Sequence, residues 1–312
     1  MRVVSLPEIL AALDEEAALA AVASGFRRFS AGQVQVAAVG HLAFADAPGD
    51  CHIKSAHLVG DDVFVVKLAT SFYRNPERGL SSSNGFMAVI SAATGEILAL
   101  LHDQGQLTDR RTAMAGAIAA RAIARPDSAT LGVVGAGIQA RLQARLIARI
   151  LGLSSILIWA RTSDRAAALA ADLGGEAVGL PQLCARADLI VTTTPSTAPL
   201  LTAEMVRPGH RIVAVGADSP GKQELETAIL GRARVVVDSR AQCLDHGEAG
   251  WAVRAGLVDP ASLIELGALL ESPIAFDADE IVVADLTGVA VQDAEIAKVV
   301  WRGLQRAPSP RD

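Results

Sequence analysis

The 312-residue chain is short of aromatic side chains, of cysteine and of lysine, and each shortage narrows what it can be. Aromatics make up 4% of it, with a single tyrosine, whereas 51% is hydrophobic and glycine occurs 27 times. That mixture suits close helix-on-sheet packing better than a sandwich of aromatic strands. The three cysteines, Cys51, Cys184 and Cys243, are far apart and form no CxxC pair. They are expected to be reduced thiols of a cytoplasmic protein, with neither a disulfide framework nor a zinc site. No run of about 18 uninterrupted apolar residues is available to span a membrane. Met1 to Ser5 lead into a polar helix and not into the apolar core of a signal peptide. A net charge of −6 leaves no basic stripe to neutralise phosphates, which argues against nucleic acid as a partner. Lysine is the rarest charge, 4 against 24 arginines, and two of the four, Lys54 and Lys67, fall close together.

A chain of this length is long for one core, so two lobes are expected. Residues from Ser5 to about Phe29 have helical spacing, with Leu6, Leu10 and Leu13 on one face. Strands and turns follow to about Leu101, among them Val63 to Val66 and Phe86 to Ile90, set off by Gly60-Asp61-Asp62, Asn84-Gly85 and Thr94-Gly95. A helix from about Asp109 to Ala124 stops at Arg125-Pro126. From Ala129 strands alternate with helices. The strands are Thr130 to Val134, Ile156 to Trp159, Leu189 to Thr192, Arg211 to Val215, Val235 to Asp238 and Ile281 to Ala284. Ile138 to Leu151 and Asp164 to Leu173 are the helices between the early ones. The fold class is therefore α/β, a Rossmann-type doubly wound parallel sheet over residues 126–292 beside an α+β domain over residues 1–125. An amphipathic helix beginning at Asp293 is expected to rejoin that first domain, before a frayed tail from Ala307.

The sharpest motif is Gly135-Ala136-Gly137-Ile138-Gln139-Ala140, placed directly after the apolar strand Thr130 to Val134 and opening a helix. The first glycine permits a tight turn and the second lets backbone approach a pyrophosphate. Ala140 allows close helix–strand contact, and the free amides of the helix start attract phosphate. An ordinary strand-to-helix turn is the competing reading. An NAD-preferring fold usually carries an acid about 20 residues further on, for the ribose hydroxyls. Here that strand ends in Ala160-Arg161-Thr162-Ser163, followed by Arg165. An arginine and hydroxyls suit a 2′-phosphate, which points to NADPH, with NADH as the alternative; Arg161 as a solvated loop residue is the plain reading.

Three further positions break local rules. Lys67 lies in the apolar strand Val63 to Ala69, on the face of Val63, Val65 and Ala69. Desolvation there lowers a lysine's pKa toward the range of acid–base chemistry, unless the strand is a wet edge. Arg110 and Arg111 follow Thr108, a fitting N-cap, and so stand in a first helical turn where the dipole disfavours cations. A bound carboxylate would explain one of them, Arg111, while Arg110 is read as solvated. Asp218, in Gly216-Ala217-Asp218-Ser219-Pro220-Gly221-Lys222, follows a strand end where such sheets bind ligands. It serves equally well as a turn former before Ser-Pro-Gly.

Taken with Val65 to Tyr73, Leu107 to Ala113, Gly216 to Leu225 and Thr287 to Asp293, these segments resemble the ornithine cyclodeaminase/mu-crystallin family in the family's own order. The resemblance implies that residues 1–125, joined by helix 293–312, form a substrate-binding and dimerisation domain of a homodimer. It aligns Lys67 with the family's catalytic lysine, Arg111 with its carboxylate-binding arginine and Asp218 with the aspartate that handles the substrate's amino group. Thr192, Thr193 and Thr194 match the loop lining the cofactor cleft, and Gly288 the loop near the nicotinamide. Many members have a second arginine near the place of Val39-Gly40-His41. This chain instead resembles a subgroup with lysine in Cys51-His52-Ile53-Lys54-Ser55, so Lys54 becomes the second carboxylate ligand, with His52 beside it. The implied activity is NADPH-dependent reduction of a carboxylate-bearing imine, a ketimine or Δ1-pyrroline-2-carboxylate. Alternatives are an ornithine cyclodeaminase, which uses NAD+ to give proline and ammonia, and a mu-crystallin-like protein that binds NADPH and a small ligand.

Overall fold

The computed structural model describes residues 1–72 and 74–306; the tail 307–312, expected to fray, and Tyr73 lie outside the described residues. The chain divides into two compact units, one formed by Met1–Arg111 with the segment from Val289 onward and the other by Thr112–Gly288.

The first unit opens with β1 (Arg2–Val4), α1 (Leu6–Ala12) and α2 (Glu15–Ser30). The single helix expected here is broken because the Asp14 carboxylate accepts a hydrogen bond from the Ala17 amide at 3.0 Å and caps a fresh start. Strands β2 (Val34–Val36), β3 (Gly40–Phe44), β4 (Gly49–Leu58), β5 (Val63–Phe72), β6 (Ser83–Ser91) and β7 (Ile97–Leu101) follow. They form a sheet in the order β1-β7-β6-β5-β4-β2, with β3 also on β4; all pairs are antiparallel except β1 with β7.

Helix α3 (Gln106–Ile123) starts three residues earlier than expected. The chain turns sharply through Gln104 (φ 55°) and Gly105 (φ 81°), and the buried Asp103 carboxylate accepts from the Leu107 amide at 2.9 Å. Asp103, and not Thr108, therefore serves the helix start. The sequence placed the change of domain at Arg125-Pro126, but the division falls inside α3, whose unbroken helical pattern hides it.

The second unit comprises β8 (Thr130–Val134), α4 (Ile138–Leu151), β9 (Ser155–Trp159), α5 (Ser163–Leu173), β10 (Glu176–Ala177), α6 (Leu180–Arg186) and β11 (Leu189–Thr192). It continues with β12 (Thr197–Leu201), β13 (Arg211–Ala214), β14 (Gln223–Leu225), α7 (Thr227–Leu230), β15 (Ala233–Val237), α8 (Arg240–His246) and α9 (Glu248–Arg254). The last elements are β16 (Ile264–Glu265), α10 (Leu266–Glu271) and β17 (Ile281–Asp285). Eight strands make one parallel sheet, β10-β9-β8-β11-β13-β17-β15-β16. Every residue of β11, β13 and β17 is buried, so both faces are covered, as an α/β sheet requires. Strand order reverses beside β8, with β9 on one side and β11 on the other; such a switch point opens a ligand crevice at the carboxyl ends.

Helix α11 (Ala290–Arg306) belongs to the first unit and packs against β4, β5 and α2. It starts three residues before the Asp293 expected from sequence. Val22 and Phe26 of α2, Val291 and Val300 of α11, and Val65, Met87 and Leu101 of the sheet are all at or near complete burial. Among the described residues, no helix is long and apolar enough to cross a membrane.

Candidate active site

Alternation along β4 and β5 puts Lys54 and Lys67 on the face that α11 covers, and the register pairs them directly across the two strands. Like charges opposite each other destabilise a sheet, and burial deepens the cost. Lys67 is 2% exposed and Lys54 7%. The compensating anion comes from the first turn of α11. Asp293 lies 3.0 Å from Lys67 Nζ through Oδ2 and accepts a 2.7 Å hydrogen bond from Arg111 Nε through Oδ1. Arg111 Nη1 also donates to Gln292 Oε1 at 2.6 Å. A single carboxylate thus joins a strand lysine to a helix arginine, and all three side chains are buried.

The electrostatics follow from that arrangement. Burial lowers the Lys67 ammonium to a pKa of about 7; Asp293 pulls it back up, while Arg111 and Lys54 push it further down. For Asp293 burial works upward, but Arg111, Lys67 and Lys54 outweigh it and hold the carboxyl below its usual value. Breaking such a pair costs several kcal/mol, and well-packed apolar residues would often serve stability better. A cluster of this kind therefore points to chemistry. His52 stands two residues before Lys54 on the same face, its ring stacked on His41 with centroids 4.7 Å apart. Arg110, expected to be solvated, instead reaches Glu15 on α2 at 2.7 Å.

In the second unit the glycine turn has the shape its sequence implies. Gly135 has φ 131°, and a Cβ there would lie 2.5 Å from Thr193 Oγ. Gly137 caps α4 with open space where a Cβ would point, and no side chain caps that helix. Ile138, 45% exposed, stands at the helix start, Gln139 is half-buried and Ala140 is fully buried. Uncapped amides, an open approach and an exposed apolar residue fit a dinucleotide. Arg161, Thr162 and Arg165 are exposed beyond β9, and Thr162 is the N-cap of α5 without a side-chain capping bond. Thr193 and Thr194 are half-buried after β11. Thr192 departs from its expected cleft-lining place, being fully buried with its hydroxyl committed to Glu224. Asp218 is exposed in its turn and accepts from Lys222 Nζ at 2.6 Å and from Ser219 Oγ at 3.2 Å. The Gly288 amide donates to buried Asp238 at 2.7 Å.

Asp293, Gln292, Glu224 and Asp238 carried no role in the sequence reading. For Asp293 there was a signal, an acid in the first turn of an otherwise amphipathic helix; its two partners, 182 and 226 positions away, were invisible.

A family profile described as "Ornithine cyclodeaminase/mu-crystallin family" matches residues 3–306. The alanine dehydrogenase of Archaeoglobus fulgidus is 35% identical over 302 residues, covering 94% of this chain and 91% of that one. Among solved structures, an archaeal alanine dehydrogenase dimer with bound NAD superposes with a TM-score of 0.90 at 30% identity, covering 98% of this chain and 96% of the other. The iminosuccinate reductase of Paracoccus denitrificans in complex with NAD+ superposes with a TM-score of 0.88 at 32% identity, with the same coverages.

Replacing Asp293 by Asn removes the anion that holds the Lys67 proton while Arg111 and Lys54 remain. The Lys67 pKa then falls below about 7, so any activity that needs its protonated form loses its plateau at lower pH, by about one pH unit or more. A pH–rate profile of D293N coincident with that of the unmodified protein would refute the coupling.

Proposed function

Because the chain belongs to the ornithine cyclodeaminase/mu-crystallin family, we propose that it is an NAD(P)H-dependent reductase of imines that carry an α-carboxylate, giving an amino or cyclic imino acid. The observation that carries this reading is the buried cluster of Lys67, Arg111 and Asp293 with Lys54 across the strand pair.

Arg111 offers a planar fork for a carboxylate and Lys54 a second positive charge, so together they fix the substrate's orientation. Lys67, poised near pH 7, donates a proton at the imine nitrogen, and Asp293 keeps that proton available. When bound, the reduced nicotinamide supplies the hydride that the imine carbon receives. One C–H and one N–H bond form as the C=N double bond becomes single. Lys67 emerges neutral and regains its proton from solvent. His52 belongs to the substrate-binding set beside Lys54, and the Asp218 carboxylate is the acceptor for the substrate's nitrogen.

The amides at Gly137 and Ile138 hold the pyrophosphate after the tight turn at Gly135, with Thr193, Thr194 and Gly288 on further loops and Ala140 packing the helix close. Arg161, Thr162 and Arg165 face solvent beyond β9, without an acid at the strand end. That arrangement favours the 2′-phosphate of NADPH over the bare ribose of NADH.

The first unit also supports a homodimer. The sheet face opposite α11 carries Leu42, Phe44 and Ile53, 56%, 41% and 40% exposed, next to half-buried Val66, Leu68 and Phe86. A continuous apolar face of this kind is unusual on a monomer, and the partner proposed for it is a second copy of this chain. Light scattering should give twice the chain mass; the mass of one chain would remove the dimer.

The activity is tested with purified protein, NADPH or NADH, and Δ1-pyrroline-2-carboxylate, or pyruvate or oxaloacetate with ammonia or methylamine. Oxidation of the nicotinamide with at least one imine is expected. Its absence with all of them refutes the reductase, and formation of proline from L-ornithine with NAD+ establishes the lyase instead. Arg161→Asp should weaken NADPH about tenfold or more while sparing NADH; equal losses would remove Arg161 from cofactor choice.

A further inference from the structure

The segment Gly216 to Leu225 contains a carboxylate that the proposed reaction leaves unused. Glu224 is fully buried in the second unit and gathers four donors from two loops. Its Oε2 accepts from Thr192 Oγ at 2.7 Å and from the Gly216 amide at 2.8 Å. Its Oε1 accepts from the Thr194 amide at 2.6 Å and from Thr194 Oγ at 2.7 Å. Burial pushes the Glu224 carboxyl up, and the four donors oppose that shift by favouring the anion.

Glu224 is itself held in place. Its own amide and that of Leu225 donate to Glu248 Oε1 at 2.6 and 3.2 Å, from a glutamate buried at the start of α9. The loops close around it without slack. A Cβ on Gly216 would lie 2.1 Å from the Thr194 carbonyl oxygen and 2.5 Å from the Glu224 carboxylate. The same loop reaches the glycine turn, because the Thr193 amide and hydroxyl both donate to the Val134 carbonyl, at 3.0 and 3.2 Å. With Gly135 packed on Thr193 Oγ, contacts run unbroken from the glycine turn through Thr193 and Thr194 to Glu224 and Gly216.

Surface loops need no buried charge, since water satisfies their amides without the desolvation of a carboxylate. A buried anion makes sense where loop atoms must be fixed before a ligand arrives. The loops it ties follow β11 and β13, on the side of β8 away from β9 and its Arg161. From this we infer that Glu224 is a positioning residue for the nicotinamide half of the dinucleotide, an inference that rests on the cofactor reading above.

Fluorescence titration with NADPH, calorimetric titration with the adenosine fragment 2′,5′-ADP, and thermal melting test it on the full chain. Glu224→Gln keeps the volume but turns an NH2 group toward the donors. NADPH should bind about tenfold more weakly, while 2′,5′-ADP stays within about twofold. Thr194→Val removes a single hydroxyl bond and should show the same split at about threefold; it decides the matter should E224Q fail to fold. Equal weakening of both ligands would make Glu224 a structural residue, and unchanged NADPH affinity would deny it any role in binding. An unmodified protein that fails to bind NADPH would overturn the cofactor reading together with this inference, whereas tight wild-type binding without the split overturns the inference alone.

Discussion

The Asp293 carboxylate is the interaction on which the chemistry of the first unit depends. Two lysines face each other across β4 and β5, and an arginine enters from α3, all out of water. Without Asp293 these buried cations would repel one another uncompensated, and Lys67 would hold its proton less tightly. With it, Lys67 keeps a proton that it can lose near neutrality. The constraint explains why α11 returns to the first unit after the whole second unit has been built. That helix delivers the acid, fixed at both oxygens, to a lysine on β5.

The second unit solves a different problem by a related means. Its ligand-facing parts are mostly backbone, and backbone loops have no intrinsic rigidity. Buried carboxylates supply it. Glu224 ties the loops after β11 and β13, and Asp238 binds the amides of Thr287 and Gly288 together with the Thr287 hydroxyl. Glu248 anchors the segment that carries Glu224. Glu224 and Asp238 gather donors mainly from strand-end loops and Glu248 accepts the backbone amides of β14, so the polar groups are satisfied within the protein and held in one arrangement. The lowered lysine of one unit and the multiply bonded acids of the other both use desolvation, the first to loosen a proton and the second to stiffen a loop.

Much of the second unit was legible in the sequence because its signals are local. A parallel strand buried on both faces reads as an apolar run, and a glycine turn between strand and helix shows in six residues. Hence β8, α4 and β11 have the bounds expected. Boundaries set by capping were harder. Asp14 divides one expected helix into two, and Asp103 starts α3 ahead of Thr108, because a short polar side chain can satisfy helix amides from several positions. Thr192 fell in the right motif, but its burial depended on a glutamate 32 residues away.

By itself the sequence determined the two kinds of sheet, the dinucleotide turn, the absence of an acid at the end of β9 and the oddity of Lys67 and Arg111. These rest on spacing and on residue type, which the linear order preserves. Only the tertiary structure decided that the lysine and the arginine share one carboxylate, that Lys54 stands opposite Lys67, and that Glu224 binds loops instead of facing solvent. Such facts depend on which distant residues meet in a desolvated place. The Coulomb and desolvation energies that tune these groups are functions of distance and burial, neither of which a linear order contains.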